Sequence, residues 1–266
     1  VLRNVARGLD QVEYPTEGIE RLSVVYSMPE WILKLWKKTY DLDVIESMLQ
    51  AFQEETPVTI RCNLAKTTPE NLKESLQKEG VTVTPHPYLS YAFWIQDYDH
   101  LSELESFQKG EFYVQDISSM LVGELADPKK GDRVIDVCAA PGGKALHVAE
   151  KLRGTGSVEA RDLSLYKVGL ITENIERSGL TNIHAVQKDA TVCDADVKDA
   201  ADLVIADLPC SGLGVFGKKP DLKYRVKEED LKELAGLQRK ILENAQAMVK
   251  KGGTLLYSTC TIDTME

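Results

Sequence analysis

The sequence RVIDVCAAPGGK, at positions 133–144, joins an apolar strand pattern to a glycine-rich turn and then to a helical pattern. Small residues in such a turn let the backbone approach a ligand, and the N-terminus of the following helix offers free N–H groups to a polar or anionic ligand. The turn residues are Cys138, Ala139, Ala140, Pro141, Gly142, Gly143 and Lys144. We therefore predict that this turn lines a binding site for a small ligand.

Strand and helix patterns alternate strictly from this stretch to the end of the chain. The predicted strands are 133–137, 157–160, 183–186, 203–206 and 254–257, and the predicted helices are 143–152, 165–178 and 228–249. Such alternation predicts an α/β fold in which helices cover both sides of a parallel sheet. Ligands of these sheets bind at the C-terminal ends of the strands, where the glycine-rich turn also lies.

Two nucleotide-binding motifs compare poorly with this turn. A P-loop requires glycine where Cys138 stands and a hydroxyl residue where Ala145 stands, and the G-x-G-x-x-G dinucleotide motif is missing. We therefore predict that the turn does not bind phosphate groups.

Three carboxylates follow successive predicted strands, namely Asp162, Asp189 and Asp207. A carboxylate after the second strand holds a ribose diol in many α/β proteins, and Asp189 is placed to contact the amino edge of an adenine. Each aspartate by itself is equally well explained as a helix cap or a turn residue. Three of them beside a glycine-rich turn favour a nucleoside site.

The cysteines exclude some classes of site and suggest another. The chain has five, Cys62, Cys138, Cys193, Cys210 and Cys260. An odd number without a C-x-x-C pair excludes a complete disulfide framework and gives no spacing for a zinc site, so we predict no metal. A free thiol usually fills a core. Cys210 and Cys260 instead lie just past two predicted strands, at the ligand-facing edge, and this favours nucleophilic chemistry.

The first 110 residues show shorter elements in a different order. Helical patterns cover 29–52 and 69–80, and strand patterns cover 58–63, 81–83 and 91–95. Thr68 and Pro69 suit the N-cap and the first position of the second helix. Trp31 and Trp36 are predicted core anchors. The pattern predicts a compact α+β accessory module that ends near Gly110.

Composition and charge exclude several classes of protein. With 266 residues, 43% hydrophobic and 28% charged, the chain resembles an ordinary globular protein and not a disordered or collagen-like one. It shows neither a membrane span nor a signal segment, which predicts a cytoplasmic protein. A net charge of −10 argues against nonspecific binding of nucleic acid.

One short segment has the opposite charge. The segment Gly217–Lys227 contains one acidic residue, Asp221, and five basic residues, Lys218, Lys219, Lys223, Arg225 and Lys227. Such a run, called the basic strip below, is usually a solvated surface. Its position beside the cysteine motifs favours contact with phosphate.

Four motifs together carry a family resemblance. D-x-C-A-A-P-G-G-K, D-x-P-C-S-G, K-P-D and S-T-C-T, in this order, resemble the RNA cytosine-C5 methyltransferases that use S-adenosylmethionine. Within that family the motifs are most similar to the small-subunit ribosomal RNA methyltransferase B subgroup. The resemblance runs from about Tyr26 to the end and includes YSMPEW (26–31), VTIRCN (58–63) and GEFYVQD (110–116). It implies a Rossmann-like class I methyltransferase sheet with a smaller N-terminal α+β domain.

The resemblance also implies roles for the candidate residues. The turn Cys138–Lys144 would line the S-adenosylmethionine pocket, with Asp162 on the ribose and Asp189 near the adenine. Asp207 would lie between the cofactor and the target base. The family's nucleophile corresponds to Cys260, and the cysteine that serves in product release corresponds to Cys210. The basic strip would contact the RNA.

The resemblance further implies a domain order. Residues 1–18 would be the end of a preceding helical domain and a linker, 19–110 an accessory domain that contacts RNA, and 111–266 the methyltransferase domain. The family's last two strands are expected to lie beyond this chain. Ala145, Lys167 and Leu208 depart from the family's usual Thr, Arg and small residue, which bears on cofactor affinity and not on the reaction type.

Two other functions fit the sequence less well. A non-catalytic RNA-binding or assembly factor with the same fold would have no need for both Cys210 and Cys260. A different S-adenosylmethionine-dependent methyltransferase acting on an amino nitrogen would favour an N-P-P-Y-type motif, which is absent here. We therefore expect a monomeric RNA methyltransferase that acts on small-subunit (16S) ribosomal RNA and requires no membrane.

Overall fold

The computed structural model describes residues 13–266, so the first twelve residues of the segment 1–18, predicted as a helix end and a linker, lie outside the described residues. The elements of the N-terminal half are α1 (Gly18–Val25), α2 (Glu30–Trp36), α3 (Leu42–Gln53), β1 (Val58–Cys62), α4 (Pro69–Lys78), β2 (Thr82–Pro85), β3 (Ala92–Gln96), α5 (Glu105–Gln108), β4 (Phe112–Val114) and α6 (Ile117–Ala126). The helical pattern over 29–52 is confirmed as two helices, α2 and α3. Gly18, predicted to belong to a linker, is instead the first residue of α1.

The C-terminal half alternates strands with helices as predicted, except that β8 follows β7 without an α-helix between them. Its elements are β5 (Arg133–Asp136), α7 (Gly143–Lys151), β6 (Ser157–Asp162), α8 (Leu165–Ser178), β7 (Ile183–Gln187), β8 (Ala201–Asp207), α9 (Leu222–Arg225), α10 (Glu228–Met248) and β9 (Val249–Ser258). The predicted bounds of α8, 165–178, are confirmed at both ends. The helix ends at Ser178 because Gly179 adopts the left-handed conformation that commonly ends a helix.

The first sheet has four antiparallel strands in the order β2-β3-β1-β4. Helix α4 begins as predicted, since the Thr68 side chain accepts a hydrogen bond from the backbone N–H of Asn71 and Pro69 is its first residue. Buried Leu72 and Leu76 of this helix lie in one apolar cluster with Ile60 and Ile95 of the sheet.

Strand β4 lies after residue 110, the predicted end of the accessory module, and still belongs to this first sheet. It pairs with β1, so that Tyr113 lies opposite Arg61. The pairing extends the sheet past the predicted boundary.

The second sheet has five parallel strands in the order β7-β6-β5-β8-β9. Helices α7 and α8 cover one face with Leu146 and Ile171, and the C-terminal half of α10 covers the other with Ile241 and Met248. The predicted parallel α/β sheet is therefore confirmed. Because all five strands are parallel, their C-terminal ends lie along one edge.

The chain divides into two compact units. One contains both sheets and consists of Thr56–Pro209 and Gly236–Thr259. The other consists, among the described residues, of the segment up to Glu55 together with Cys210–Ala235 and Cys260–Glu266. The predicted domain boundaries at residues 18 and 110 differ from the bounds of these two compact units. The division into domains at those residues stays a prediction.

The second of these units has an aromatic core. The rings of Trp36, Phe52 and Phe216 lie about 6 Å from one another, at 5.8–6.2 Å between centroids. Trp36 is 1% exposed, which confirms it as a core anchor, whereas Trp31 is half-buried. In the described part of the chain, every helix is too short or too polar to cross a lipid bilayer.

Candidate functional site

The glycine-rich turn connects β5 to α7 at the C-terminal edge of the parallel sheet. Gly142 has a φ of 107°, a backbone conformation that favours glycine, and α7 begins at the next residue. The backbone N–H of Ala139 donates to the carbonyl of Arg161 at 2.8 Å, which anchors the turn to β6. The first N–H groups of α7 have no partner within the helix and are directed out of its N-terminus. The turn therefore presents backbone N–H groups that suit a polar ligand, and its role in binding one stays a prediction.

Asp162, the last residue of β6, lies beside this turn and is 5% exposed. Its Oδ2 accepts a hydrogen bond from the backbone N–H of Ala140 at 3.4 Å. The Lys167 ammonium lies 3.6 Å from its Oδ1. A carboxylate fixed at the end of the second parallel strand is suited to accept hydrogen bonds from a diol.

Asp189 lies two residues after β7 and is exposed. Its Oδ1 accepts hydrogen bonds from the hydroxyl and the backbone N–H of Thr191, at 2.7 and 2.8 Å. These two bonds lower the pKa of the Asp189 carboxyl. Asp189 thus makes the hydrogen bonds of a turn residue, which is one of the two interpretations that the sequence allows. It also lines a cavity of about 330 Å³ with Leu163 and Val192, and its adenine contact stays a prediction.

Asp207, the last residue of β8, accepts hydrogen bonds at both carboxylate oxygens. Lys144 Nζ lies 2.6 Å from Oδ2, and the hydroxyl of Ser258 donates to Oδ1 at 2.7 Å. The register of β8 and β9 places Ser258 directly opposite Asp207. Sequence reasoning missed Ser258, although its position just before the T-C-T motif, at a strand end, was a usable signal.

Asp136 is a second residue that sequence reasoning missed. It ends β5, is 1% exposed, and its Oδ1 accepts a hydrogen bond from the backbone N–H of Cys138 at 3.3 Å. Its Oδ2 has no hydrogen-bond partner among the described residues. Burial, and then the charge of Asp207, raise the pKa of the Asp136 carboxyl to about 7. The signal was an acidic residue at the end of an otherwise apolar strand.

We expect the stability of the protein to fall with rising pH because of Asp136. Its pKa in the folded state, about 7, lies above the ordinary 3.8. The folded state therefore holds the proton more tightly, and stability is lost as the pH rises from about 4 to about 7. The asparagine of Asp136→Asn cannot ionise. The free energy of unfolding of this variant, relative to that of the unmodified protein, should therefore increase by about 2–3 kcal/mol between pH 5 and pH 8. Urea unfolding of both proteins at the two pH values measures this. The prediction would be contradicted if the difference in the free energy of unfolding were the same at pH 5 and pH 8. It would also be contradicted if the exposed control Asp196→Asn showed the same increase.

Cys138 is held as a neutral thiol within the turn. Burial, followed by the charge of Asp136, raises the pKa of the Cys138 thiol to about 12. It packs against the apolar cluster beside β5 and β8. Cys138 thus lines the turn and is not suited to nucleophilic chemistry.

The three departures from the family pattern have simple places in the structure. Ala145 is fully buried in the core between α7 and the sheet, and Leu208 is buried in the cluster on the opposite face. Lys167 contacts Asp162 with its ammonium, as a basic residue at this position can. None of the three removes a polar group from the turn or from the strand ends described above.

The unit that contains Cys210 and Cys260 brings the two thiols together. Their sulfur atoms lie 3.2 Å apart, and the backbone N–H of Cys260 donates to the sulfur of Cys210 at 3.3 Å. Cys260 is exposed and Cys210 is half-buried. The hydrogen bond with Cys260, together with burial, raises the pKa of Cys210. Cys210 is therefore the thiol of the pair that keeps its proton.

The basic strip lies in the same unit on exposed turns around α9. Four of its members are exposed and Lys223 is half-buried. Arg225 Nη2 lies 3.1 Å from Oδ2 of Asp221, and Lys223 Nζ lies 5.3 Å from the ring centre of Tyr224. Burial lowers the pKa of both Lys218 and Lys223. The strip is a surface that solvent reaches, and its contact with RNA stays a prediction.

Two family models match the chain. One, described as 16S rRNA methyltransferase RsmB/F, matches residues 124–266, more than half of the chain. The other, described as an RsmF/B-like ferredoxin-like domain, matches residues 28–98, which include three of the four strands of the antiparallel sheet and helix α4.

Curated relatives cover most of the chain. The probable ribosomal RNA small subunit methyltransferase B of Bacillus subtilis (strain 168) is 38% identical over 268 residues, which cover 100% of this chain and 60% of the relative. The ribosomal RNA small subunit methyltransferase F of Escherichia coli O81 (strain ED1a) is 34% identical over 227 residues, 83% of this chain and 47% of the relative. The chain therefore spans about half of the length of these relatives.

Solved structures share the fold. The crystal structure of PH0851 has a TM-score of 0.90 and 29% identity, and covers 98% of this chain and 59% of its own. The structure of NSun6 from Pyrococcus horikoshii with SFG has a TM-score of 0.80 and 25% identity, and covers 87% of this chain and 83% of its own. These similarities confirm the predicted fold class, a Rossmann-like methyltransferase sheet with a smaller N-terminal α+β domain.

Proposed function

The chain belongs to the RsmB/F family of 16S rRNA methyltransferases, and we propose that it transfers a methyl group from S-adenosylmethionine to C5 of a cytosine in 16S ribosomal RNA. The observation that carries the proposal is the thiol pair Cys210 and Cys260, with sulfur atoms 3.2 Å apart. A methyltransferase that acts on an amino nitrogen or a hydroxyl has no use for two thiols. C5 methylation needs one group to add to the ring and another to help release the product.

The proposed reaction begins with Cys260. C5 of cytosine is a weak nucleophile, and a thiolate that adds to C6 turns C5 into an enamine-like carbon that can attack a methyl group. Cys260 is the exposed member of the pair, which suits it to meet a base from solution. The target cytosine must be single-stranded or flipped out, because a stacked base does not expose C6.

Cys210 suits the later step. After methyl transfer the proton on C5 must leave before the sulfur of Cys260 can be expelled, and this requires a base. The hydrogen bond with Cys260 raises the pKa of Cys210. That bond involves the sulfur of Cys260, so bonding of this sulfur to C6 removes the largest cause of the shift and leaves the contribution of burial. Cys210 thus becomes easier to ionise once the adduct exists.

Asp207 is proposed to stabilise the ring as it becomes protonated at N3. The alternative, donation of that proton by Asp207, would require the carboxyl to carry a hydrogen. Both of its oxygens already accept hydrogen bonds, from Lys144 and Ser258. A carboxylate held in this way is arranged to accept, and this favours stabilisation of the protonated ring over proton donation.

The donor and acceptor set around the turn fits S-adenosylmethionine. The N–H groups at the start of α7 suit a carboxylate, the Asp162 carboxylate suits a ribose diol, and the buried Asp136 offers an oxygen that has no hydrogen-bond partner within residues 13–266. When bound, the cofactor supplies a methyl group on a positively charged sulfur. The likeness to a structure solved with SFG, an analogue of this cofactor, supports the assignment.

Loss of the Asp162 carboxylate should weaken cofactor binding. We expect Asp162→Ala to reduce the affinity for S-adenosylmethionine by about 1–3 kcal/mol, the range for a lost hydrogen bond to a charged group. Titration calorimetry with S-adenosylmethionine and its demethylated product measures this, and Asp196→Ala, which removes an exposed carboxylate from the segment between β7 and β8, is the matched control. Equal affinities of the two variants, or binding of ATP in place of the methyl donor, would contradict the assignment.

The basic strip is proposed to contact the phosphates of the RNA. Each lysine that meets a phosphate contributes about 0.7 to the slope of log affinity against log salt for a single strand. Lys219→Glu combined with Lys227→Glu should therefore flatten that slope by about 1.4. Filter binding across a salt series measures it, with the exposed pair Lys198→Glu and Lys251→Glu, outside the strip and outside residues 19–110, as the control. An unchanged slope in the strip variant would leave the strip as a solvated surface only.

Release of hydrogen from C5 tests the proposed function. With RNA that carries tritium at C5 of its cytosines, each methyl transferred should release one tritium into water, because the methyl group replaces that hydrogen. We expect the two counts to rise together. Methyl transfer without tritium release would place the methyl group on another atom and overturn the proposal.

A further inference from the structure

The thiols of Cys210 and Cys260 are close enough to be joined by a small movement. Their sulfur atoms lie 3.2 Å apart. A disulfide bond is about 2.05 Å long, so closure requires an approach of only about 1 Å.

The two backbone segments that carry these thiols are held side by side. The backbone N–H of Gly214 donates to the carbonyl of Cys260 at 3.0 Å, and the hydroxyls of Ser211 and Thr261 are hydrogen-bonded at 2.9 Å. Glycine is needed at 214, because a Cβ there would lie 2.8 Å from that carbonyl oxygen. This bonding keeps the thiols in register and favours their reaction with each other over reaction with other thiols.

The pair also differs from the remaining cysteines in access and ionisation. Cys260 is exposed, whereas Cys62 is buried, and burial raises the pKa of both Cys62 and Cys138 to about 12. Cys193 is exposed as well, and it lies in the other compact unit. An oxidant in solution therefore reaches Cys260 before the buried thiols.

We propose that a peroxide converts Cys210 and Cys260 into a reversible intramolecular disulfide that switches off methyl transfer. The inactivation rests on the proposed function, in which both thiols take part. A disulfide leaves no sulfur able to add to C6 of cytosine. Reduction by a dithiol restores both thiols and with them the reaction.

The oxidation balances with hydrogen peroxide as the two-electron oxidant. The sulfur of Cys260 attacks one peroxide oxygen, the O–O bond breaks, and the leaving hydroxide takes the thiol proton to form water. The sulfur of Cys210 then attacks the resulting sulfenic acid. The S–S bond forms, the S–O bond breaks, and the second hydroxide takes the proton of Cys210 to form a second water.

Thiol counting tests the disulfide independently of activity. The protein is treated with hydrogen peroxide, denatured, and labelled with a maleimide polymer that retards each free cysteine on a gel. The reduced protein should carry five labels, one for each cysteine of the sequence, and the oxidised protein three. Peptide mass spectrometry without reduction should find Cys210 joined to Cys260, and dithiothreitol should restore both labels and methyl transfer.

Single variants identify the pair. Cys210→Ser and Cys260→Ser should each prevent the bridged peptide, whereas Cys193→Ser should form it as the unmodified protein does. Full labelling of Cys210 and Cys260 after peroxide treatment, or oxidation of Cys260 to a form that dithiothreitol does not reverse, would overturn the disulfide. A bridged protein that transfers methyl groups undiminished would overturn the switch. A bridge in a protein that transfers no methyl when reduced would instead count against the proposed function and leave the disulfide standing.

Discussion

Cys260→Ala is expected to abolish both methyl transfer and the covalent enzyme–RNA adduct. Without a thiolate, nothing adds to C6 and C5 remains too weak a nucleophile to attack. Removal of the nucleophile from a covalent enzyme lowers turnover by a factor on the order of 10⁶. Methyl transfer from labelled cofactor and a denaturing gel of the protein with substrate RNA measure the two effects.

Two controls separate loss of the nucleophile from loss of the fold. Cys193→Ala removes an exposed thiol from the other unit and should react normally. Cys260→Ala itself should still bind S-adenosylmethionine in a calorimeter, because the residues proposed to hold the cofactor belong to the parallel sheet. If Cys260→Ala retained turnover, the assignment of Cys260 as the nucleophile would be wrong.

Cys210→Ala is expected to accumulate a protein–RNA complex that survives denaturation. Addition and elimination are separate steps, so loss of a group needed only for the second leaves the first intact. The variant should attack C6 through Cys260, accept the methyl group, and then fail to lose the C5 proton. On a denaturing gel with substrate RNA and cofactor, a retarded band should appear, and RNase treatment should remove the retardation.

The same gel distinguishes the roles of the two cysteines. The double variant Cys210→Ala with Cys260→Ala should show no complex, because the trapped bond is made by the sulfur of Cys260. A complex with Cys260→Ala and none with Cys210→Ala would exchange the two roles. No complex from either variant, with turnover intact, would exclude the covalent mechanism.

The sheet and the nearby residues of its edge were predictable because they depend on local pattern. Alternation of apolar strands with helices requires a parallel sheet, and its strand ends must then share an edge. Asp162 accordingly lies beside the turn, with Ala140 as a hydrogen-bond donor. The N-cap of α4 at Thr68 was predictable for the same reason, since capping involves only neighbouring residues.

The electrostatics of the site were not predictable, because they depend on burial and on strand register. The raised pKa of Asp136 arises from its complete burial next to Asp207, and a strand-end acid in the sequence shows neither. The contact of Ser258 with Asp207 follows from the pairing of β8 with β9. The sequence places Ser258 and Asp207 at strand ends, but it does not show that these two strands are neighbours in the sheet.

Long-range packing was the other unpredicted feature. Phe216, in the segment just after the Cys210 motif, contacts Trp36 and Phe52 of the N-terminal helices. Any apolar residue of the chain could have filled that space, so periodicity alone does not select the partner. The N-terminal helices and Cys210–Ala235 accordingly belong to one compact unit.

Nucleoside analysis of methylated RNA tests the central claim most directly. Small-subunit ribosomal RNA without the modification is incubated with the protein and S-adenosylmethionine labelled in its methyl group, then digested to nucleosides and separated by chromatography with mass detection. The label should appear in 5-methylcytidine and disappear with Cys260→Ala. Label in a nucleoside methylated at a nitrogen or at the ribose, or 5-methylcytidine that persists in Cys260→Ala, would contradict it.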